Sequence, residues 1–329
     1  MLCSVRAEEM GLETAYLVED DLNKRFKNDL NICKQQRHES VHSHGDVNFE
    51  DDRNQILSNQ RCHRCDWMLS ELTMASSKMA DYISLRVDQL VHLHFTSGVP
   101  RFLSCLFHCF KDDQEQLINS ALMLIQFVVL NAIALRKILK RYDKVHESVN
   151  GMNCMSKLQA KHLDVLQSPW LIELVALCIN LNDSDGLISD ELFGPLTFDL
   201  KLTSEGSVFS LVLLGSEKLD CSLICPICLD IVFQPYALSC GHIFCKSCAC
   251  LAANVLIIEG LKHASPHSKC PVCRESGVYG KSICMSELGL LLQKRCKQEF
   301  GERLVEERKI ILKQTKEYWE LQTSYAMGF

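Results

Sequence analysis

From Asp66 onward the apolar positions recur at steps of three and four. Met68, Leu72, Ala75, Met79, Ile83, Val87, Leu90 and Leu93 form one stripe, which predicts an amphipathic helix. Gly98-Val99-Pro100 ends that helix, and a short one follows to about Phe110. Asp112 and Asp113 suit an N-terminal cap, opening a long helix to about His146. Asn150-Gly151 reads as a turn and Ser156 to Leu166 as a further helix. Ser168-Pro169 reads as a cap with proline at the first position of a helix to about Leu181. Between Leu196 and Leu223 the period becomes two: Phe198, Leu200 and Leu202 alternate with Asp199 and Lys201. Ser204-Glu205-Gly206 and Gly215-Ser216-Glu217 are turn signals, so a small antiparallel meander is expected. Ser286 to about Gln322 is helical and strongly charged. Leu288, Leu291, Leu292, Leu304, Ile310, Ile311, Tyr318 and Trp319 are its apolar contacts, for docking on the cysteine-rich segment 225–273 before it or for pairing into a homodimer.

The first 60 residues are less patterned. Asp20 to Arg37 suits a helix carrying Lys24, Arg25, Lys27 and Lys34, and His38 to Asn59 is a polar loop. Leu117 to Leu135 contains no charge and passes a test for a membrane span. Asn119, Ser120, Gln126 and Asn131 interrupt it, and it runs directly into Arg136-Lys137. A buried bundle helix is therefore expected.

Composition narrows the class. A chain of 329 residues, 47% hydrophobic and 23% charged, is globular and long enough for two or three domains. Its net charge of −6 argues against nucleic-acid binding. The 19 cysteines point to a reducing compartment, cytoplasm or nucleus and not secretion, because most fit no disulfide framework. Scattered thiols such as Cys105, Cys109, Cys178, Cys284 and Cys296 read as buried residues. Cys62-x2-Cys65 has no second pair nearby and reads as a chance spacing.

One run of cysteines is not scattered. It reads Cys225-x2-Cys228-x11-Cys240-x-His242-x2-Cys245-x2-Cys248-x21-Cys270-x2-Cys273. A tight turn within each Cys-x2-Cys lets two thiolates reach one ion, and structural zinc takes four nitrogen or sulfur donors. Eight donors therefore close two zinc sites. The order resembles the RING finger. Its cross-brace implies one zinc on Cys225, Cys228, Cys245 and Cys248 and another on Cys240, His242, Cys270 and Cys273. The same resemblance implies a ubiquitin ligase that positions a ubiquitin-charged conjugating enzyme. With every zinc position filled by protein, rate comes from orientation and not from an open metal site. Ile227 and Pro271 stand where RING ligases place apolar contacts to that enzyme. Arg274 stands where many carry a basic residue bridging it to ubiquitin. The tryptophan that many RINGs place a few residues after the third ligand pair is absent from Cys248-Ala-Cys250-Leu-Ala-Ala-Asn254.

A second constellation lies at the end of the long helix. Lys137, Lys140, Arg141 and Lys144 fall at i, i+3, i+4 and i+7, one basic stripe suited to a multiply charged anion or, more plainly, to solvent. The run RKILKRYDKVHES resembles the last long helix of an SPX domain, a sensor of inositol polyphosphates. LQSPWLIEL, QPYALSCGHIFC, HSKCPVCRESGVY and KEYWELQ resemble the plant SPX–RING ligases called nitrogen limitation adaptation, or benzoic-acid hypersensitive, proteins, over about Cys62 to Phe329. The opening MLCSVRAEEMGLETAY departs from that family's lysine-rich start.

The expected architecture is mainly α. An SPX-like bundle spans 1–182 with an atypical 1–60. A linker with the meander spans 183–223, the RING 224–276 and the C-terminal helix 277–329. The resemblance implies a ligase acting on protein substrates, membrane phosphate or nitrate transporters among them, in phosphate homeostasis. It implies recruitment to the plasma membrane by substrate, two zinc ions, and an inositol polyphosphate on the stripe. The alternatives are a zinc-stabilised adaptor without catalysis and a membrane-embedded ligase.

Overall fold

The structure is a computed structural model. It describes residues 25, 27–35, 65–96, 111–161, 163–182, 196–203, 206–213 and 217–327. The chain divides into two compact units, Met1–Asp88 with Gln126–Leu166 and Gln89–Ile125 with Gln167–Phe329.

The larger parts of two long helices lie in the first unit, up to Asp88 in one and from Gln126 in the other, together with helical residues 27–35. Helix α1 covers Asp66–Thr96 and α2 covers Lys111–His146. The stripe of α1 is buried as its spacing predicts, at Met68, Leu72, Ile83, Val87 and Leu90. Leu30, Cys65, Met68, Leu72, Leu135, Ile138, Leu139, Tyr142, Cys154 and Leu158 form one core. Arg25 lies over the Trp67 ring, 4.2 Å from its centroid.

Helix α2 begins at Lys111, so Asp112 and Asp113 lie in its first turn and do not precede it. The expected break at Gly98-Val99-Pro100 and the short helix after it lie outside the described residues. Ile118, Ala121, Leu122, Leu124, Ile125, Val128, Val129, Ala132, Ile133 and Leu135 are buried. By length and composition Gln116–His146 could also cross a membrane, and half of its most apolar window is buried inside the protein.

Asn150-Gly151 is not a turn. Helix α3 spans Asn150–Ala160, and the reversal falls just before it, where Glu147 takes φ 46°. Asp143 on α2 explains the early start. Its carboxylate accepts the Gly151 N–H at 2.7 Å and the Met152 N–H at 2.8 Å, and the Ser148 hydroxyl at 3.2 Å. An anion bonded to first-turn N–H groups stabilises a helix start. The close approach needs glycine, because a Cβ at residue 151 would run into the Leu139 carbonyl oxygen. Past α3 the chain makes only a 3-10 turn, Val165–Gln167, in place of a helix to Leu166. Asp164 holds that stretch, accepting from Arg136 at 2.9 Å and from the Leu166 N–H at 3.3 Å.

In the second unit, α4 spans Pro169–Asn182, starting at the expected proline. The sequence reading groups it with the bundle 1–182, but it packs in the unit that carries the RING. It is buried without a break from Glu173 to Leu181, so neighbours cover it on every side. Strands β1 (Leu196–Thr203), β2 (Gly206–Leu213) and β3 (Glu217–Ser222) form the expected antiparallel meander, with Phe198 opposite Leu211 and Ser210 opposite Asp220. The Ser210 hydroxyl donates to Asp220 at 2.5 Å across the pair.

A second small sheet has the order β5-β4-β6, from Ile243–Cys245, Pro235–Ala237 and Ile283–Cys284. Helix α5 (Lys246–Ala252) follows β5. The C-terminal stretch is two helices, not one. Helix α6 covers Ser286–Arg295 and α7 covers Lys297–Met327, broken at Cys296, whose φ of −117° and ψ of 56° are not helical. Cys178 and Cys296 are buried as expected, whereas Cys284 is exposed. Cys105 and Cys109 lie outside the described residues.

Candidate metal centre

The eight predicted ligands converge as two sets, Cys225 with Cys228, Cys245 and Cys248, and Cys240 with His242, Cys270 and Cys273. Within each set the donor atoms lie within 4.8 Å of one another. Cys225 and Cys228 belong to a turn, Cys245 ends β5 and Cys248 lies on α5. Cys240 and His242 flank the tip of the β4–β5 hairpin, where Gly241 takes φ 82°. Its N–H donates to the Leu238 carbonyl at 2.8 Å, closing the turn.

The two Cys-x2-Cys turns are built alike. The Leu229 N–H donates to the Cys225 carbonyl at 2.8 Å and the Arg274 N–H to the Cys270 carbonyl at 2.9 Å. The Cys225 N–H reaches Asp230 at 2.8 Å and the Cys270 N–H reaches Glu275 at 2.9 Å. Leu229 and Arg274 take φ 62° and 61°, a left-handed conformation that non-glycine residues rarely adopt. Such repeated strain points to a shared constraint, two thiols turned toward one ion.

The distances suit zinc. A tetrahedron with Zn–S of about 2.3 Å has sulfur–sulfur edges of about 3.8 Å. Cys228 Sγ and Cys245 Sγ are 3.7 Å apart, and His242 Nδ1 is 3.4 Å from Cys240 Sγ and 3.7 Å from Cys270 Sγ. Nδ1 is thus the histidine donor. The thiols of the first set also act on one another. Hydrogen bonds with Cys245 and Cys248 hold the Cys225 thiol far below its ordinary value. The same contact with Cys225 pushes Cys245 up, and Cys248 up to about 12. Four crowded thiols favour a divalent cation, which replaces their protons on binding. The buried Phe233 N–H donates to Cys245 Sγ at 3.2 Å, orienting that ligand.

The expected docking of the C-terminal helix on the RING is seen in α7, but through residues that the apolar positions did not name. Phe300, Arg303, Glu307 and Gln314 share one face of that helix. Phe300 packs on Phe233 with ring centroids 5.0 Å apart. Glu307 accepts from Ser247 in a short hydrogen bond, and Gln314 accepts the Ile257 N–H at 3.3 Å. Arg303 donates to Asp230 at 3.2 Å. Burial disfavours the Arg303 charge, but negative charge on Cys228, Cys245 and Cys248 as thiolates, and on Glu307, outweighs burial and raises its pKa. A guanidinium there offsets the excess negative charge of a zinc held by four thiolates.

The predicted enzyme-facing residues surround these sites. Ile227 is 37% exposed, and its neighbour Leu229 74%. Pro271 and Arg274 are exposed as well, and Val272 is 47% exposed. Lys137, Lys140, Arg141 and Lys144 all lie exposed on α2. Arg136 is instead tied to buried Asp164.

Residues 225–271 match the RING-type zinc-finger family. Over 273 residues the chain is 46% identical to the probable E3 ubiquitin-protein ligase BAH1-like 1 of Oryza sativa subsp. indica, covering 81% of this chain and 80% of the relative. It is 41% identical over 327 residues to the probable E3 ubiquitin-protein ligase BAH1-like of Arabidopsis thaliana, covering 98% and 96%. The chain belongs to the BAH1-like family of E3 ubiquitin-protein ligases. The E3 ubiquitin-protein ligase NLA of Arabidopsis thaliana is a further relative, 38% identical over 312 residues, covering 90% and 91%. No solved structure matches the chain. As a BAH1-like ligase the chain is a ubiquitin transferase, with a conjugating enzyme, ubiquitin and protein substrates as its partners.

Proposed function

We propose that the exposed surface of the two zinc turns binds a ubiquitin-charged conjugating enzyme and holds its thioester for attack. The observation that carries this is a contrast within each turn. The ligands Cys225 and Cys270 are buried, while Ile227, Leu229, Pro271 and Val272 beside them are exposed. Apolar side chains held outward on a rigid frame suit a partner surface. Zinc keeps that frame folded and, with all four positions taken by protein, performs no step. The substrate lysine amine attacks the thioester carbonyl. The carbon–nitrogen bond forms, the carbon–sulfur bond breaks, and the conjugating enzyme's thiol leaves. Arg274 donates across ubiquitin and the conjugating enzyme, limiting the orientations of the thioester. A lysine-discharge assay with a charged conjugating enzyme tests this reading. Wild-type chain should accelerate discharge, and Ile227→Ala should remove the acceleration by weakening conjugating-enzyme binding. Equal rates with and without the chain would leave a zinc-stabilised adaptor.

A second reading rests on the exposed stripe of α2. The first unit is an SPX-like bundle, and Lys137, Lys140, Arg141 and Lys144 bind an inositol polyphosphate through charge-assisted hydrogen bonds. The ligand would then tie ligase activity to phosphate or nitrate status, with membrane transporters as substrates. The ligase would work from the cytoplasm or nucleus and reach the plasma membrane through its substrate. Calorimetry with inositol hexakisphosphate at low salt tests it. Heat in the wild type and none in the fourfold alanine variant is the expected outcome, and no heat in the wild type returns the stripe to solvent.

A further inference from the structure

A third group of metal-binding side chains lies in the first compact unit and shares no residue with the RING. Cys33, Cys65 and His146 bring their donor atoms within 4.8 Å of one another. They come from three separate places, the helical residues 27–35, the position just before α1, and the last residue of α2. All three belong to the first compact unit.

The spacing matches the two RING sites. Cys33 Sγ and Cys65 Sγ are 3.6 Å apart, against 3.7 Å between the RING ligands Cys228 and Cys245. A disulfide would need about 2.05 Å, whereas a tetrahedral zinc edge is about 3.8 Å. Two thiols and an imidazole are soft donors typical of zinc and poorly suited to calcium or magnesium.

The surroundings hold this geometry in place. Cys65 is buried, and Cys33 and His146 are partly buried. The Tyr142 ring, itself buried, tilts against His146 with centroids 4.5 Å apart, which fixes the imidazole plane. Leu30, Met68 and Tyr142 belong to the same core as Cys65. Cys65 also closes the Cys62-x2-Cys65 pair that looked like a chance spacing in the sequence. Its companions were hidden because they lie 32 residues before it and 81 after it.

We propose that Cys33, Cys65 and His146 bind a third zinc ion, a structural staple joining the N-terminal helix to the start of α1 and the end of α2. Three protein donors leave one tetrahedral position for water or one more side chain. Bound zinc would convert both thiols to thiolates and fold these three segments together.

Metal analysis of the full chain, purified with reductant and zinc, tests the proposal. Three zincs per chain are expected, falling to two in Cys33→Ser and in His146→Ala, with autoubiquitination retained because the RING is untouched. A thiol-mapping experiment on the wild-type chain covers the case of variants that fail to fold. Cys33 and Cys65 should resist iodoacetamide in the zinc-loaded chain and become labelled once zinc is chelated. Two zincs in the wild type, three in both variants, labelling that ignores the chelator, or a peptide linking Cys33 to Cys65 by a disulfide would each overturn the site.

Discussion

Glu173 on α4 caps α6 across 114 residues of sequence: its carboxylate accepts the Glu287 N–H at 2.7 Å. The Leu288 N–H reaches the other oxygen at 3.1 Å. Asn180, one face further along α4, donates to the Glu287 carbonyl at 2.7 Å and to its carboxylate at 2.9 Å. Glu173 and Glu287 are both fully buried. These bonds lock the helix preceding the meander to the start of the helix following the RING.

That cap carries a pH dependence. Burial, opposed by the two backbone hydrogen bonds, raises the Glu173 pKa from 4.5 to about 7. Between those values the folded chain holds a proton that the unfolded chain has released. Stability from this group is therefore full below pH 4.5 and falls as pH rises to about 7. The span is on the order of 3 kcal/mol. Glu173→Gln should remove that slope, because a neutral amide does not titrate. The difference in melting temperature between wild type and variant, followed from pH 5 to pH 8, checks it, since zinc-ligand protonation is common to both and cancels. A constant difference would show that Glu173 titrates normally.

Loss of one RING ligand should unfold the domain. In small peptides structural zinc contributes about 10–16 kcal/mol of apparent binding energy, most of it folding energy. His242→Ala should release zinc and leave residues 225–273 unprotected in hydrogen exchange. Full zinc content in that variant would contradict the ligand assignment.

Arg274→Ala separates folding from catalysis. The Arg274 backbone shapes the second zinc turn, but its side chain is exposed. Zinc content should stay at the wild-type level while lysine discharge slows by about tenfold or more, the scale of one lost orienting contact. Discharge at the wild-type rate would remove Arg274 from the mechanism.

Arg303→Ala should loosen the first zinc site from outside its ligand shell. Such supporting residues typically change metal affinity by about 10- to 100-fold. Competition with a chromophoric chelator should show faster zinc loss. An unchanged rate would mean that solvent already balances the thiolate charge.

Asp143→Ala removes the cap of α3. The expected cost is about 1–2 kcal/mol, from the lost hydrogen bonds to the helix start. Circular dichroism should record earlier melting of the bundle, with zinc content in the RING unchanged.

The sequence alone determined the eight RING ligands, the helix that carries the basic stripe and the meander. Each is encoded over a short stretch: two residues between thiols force a tight turn, and periods of two or near 3.6 sort apolar from polar faces. Tertiary packing decided what those elements touch. Asp143, which looked like one more charge in RKILKRYDKVHES, sets where α3 begins. Phe300, Arg303 and Glu307 turn the charged C-terminal helix into a support for the RING, although its apolar positions alone allowed docking or self-pairing. Cys33, Cys65 and His146 meet only once three helical segments are packed together. No spacing rule links residues so far apart, because their contact follows from which buried faces pair and not from local geometry.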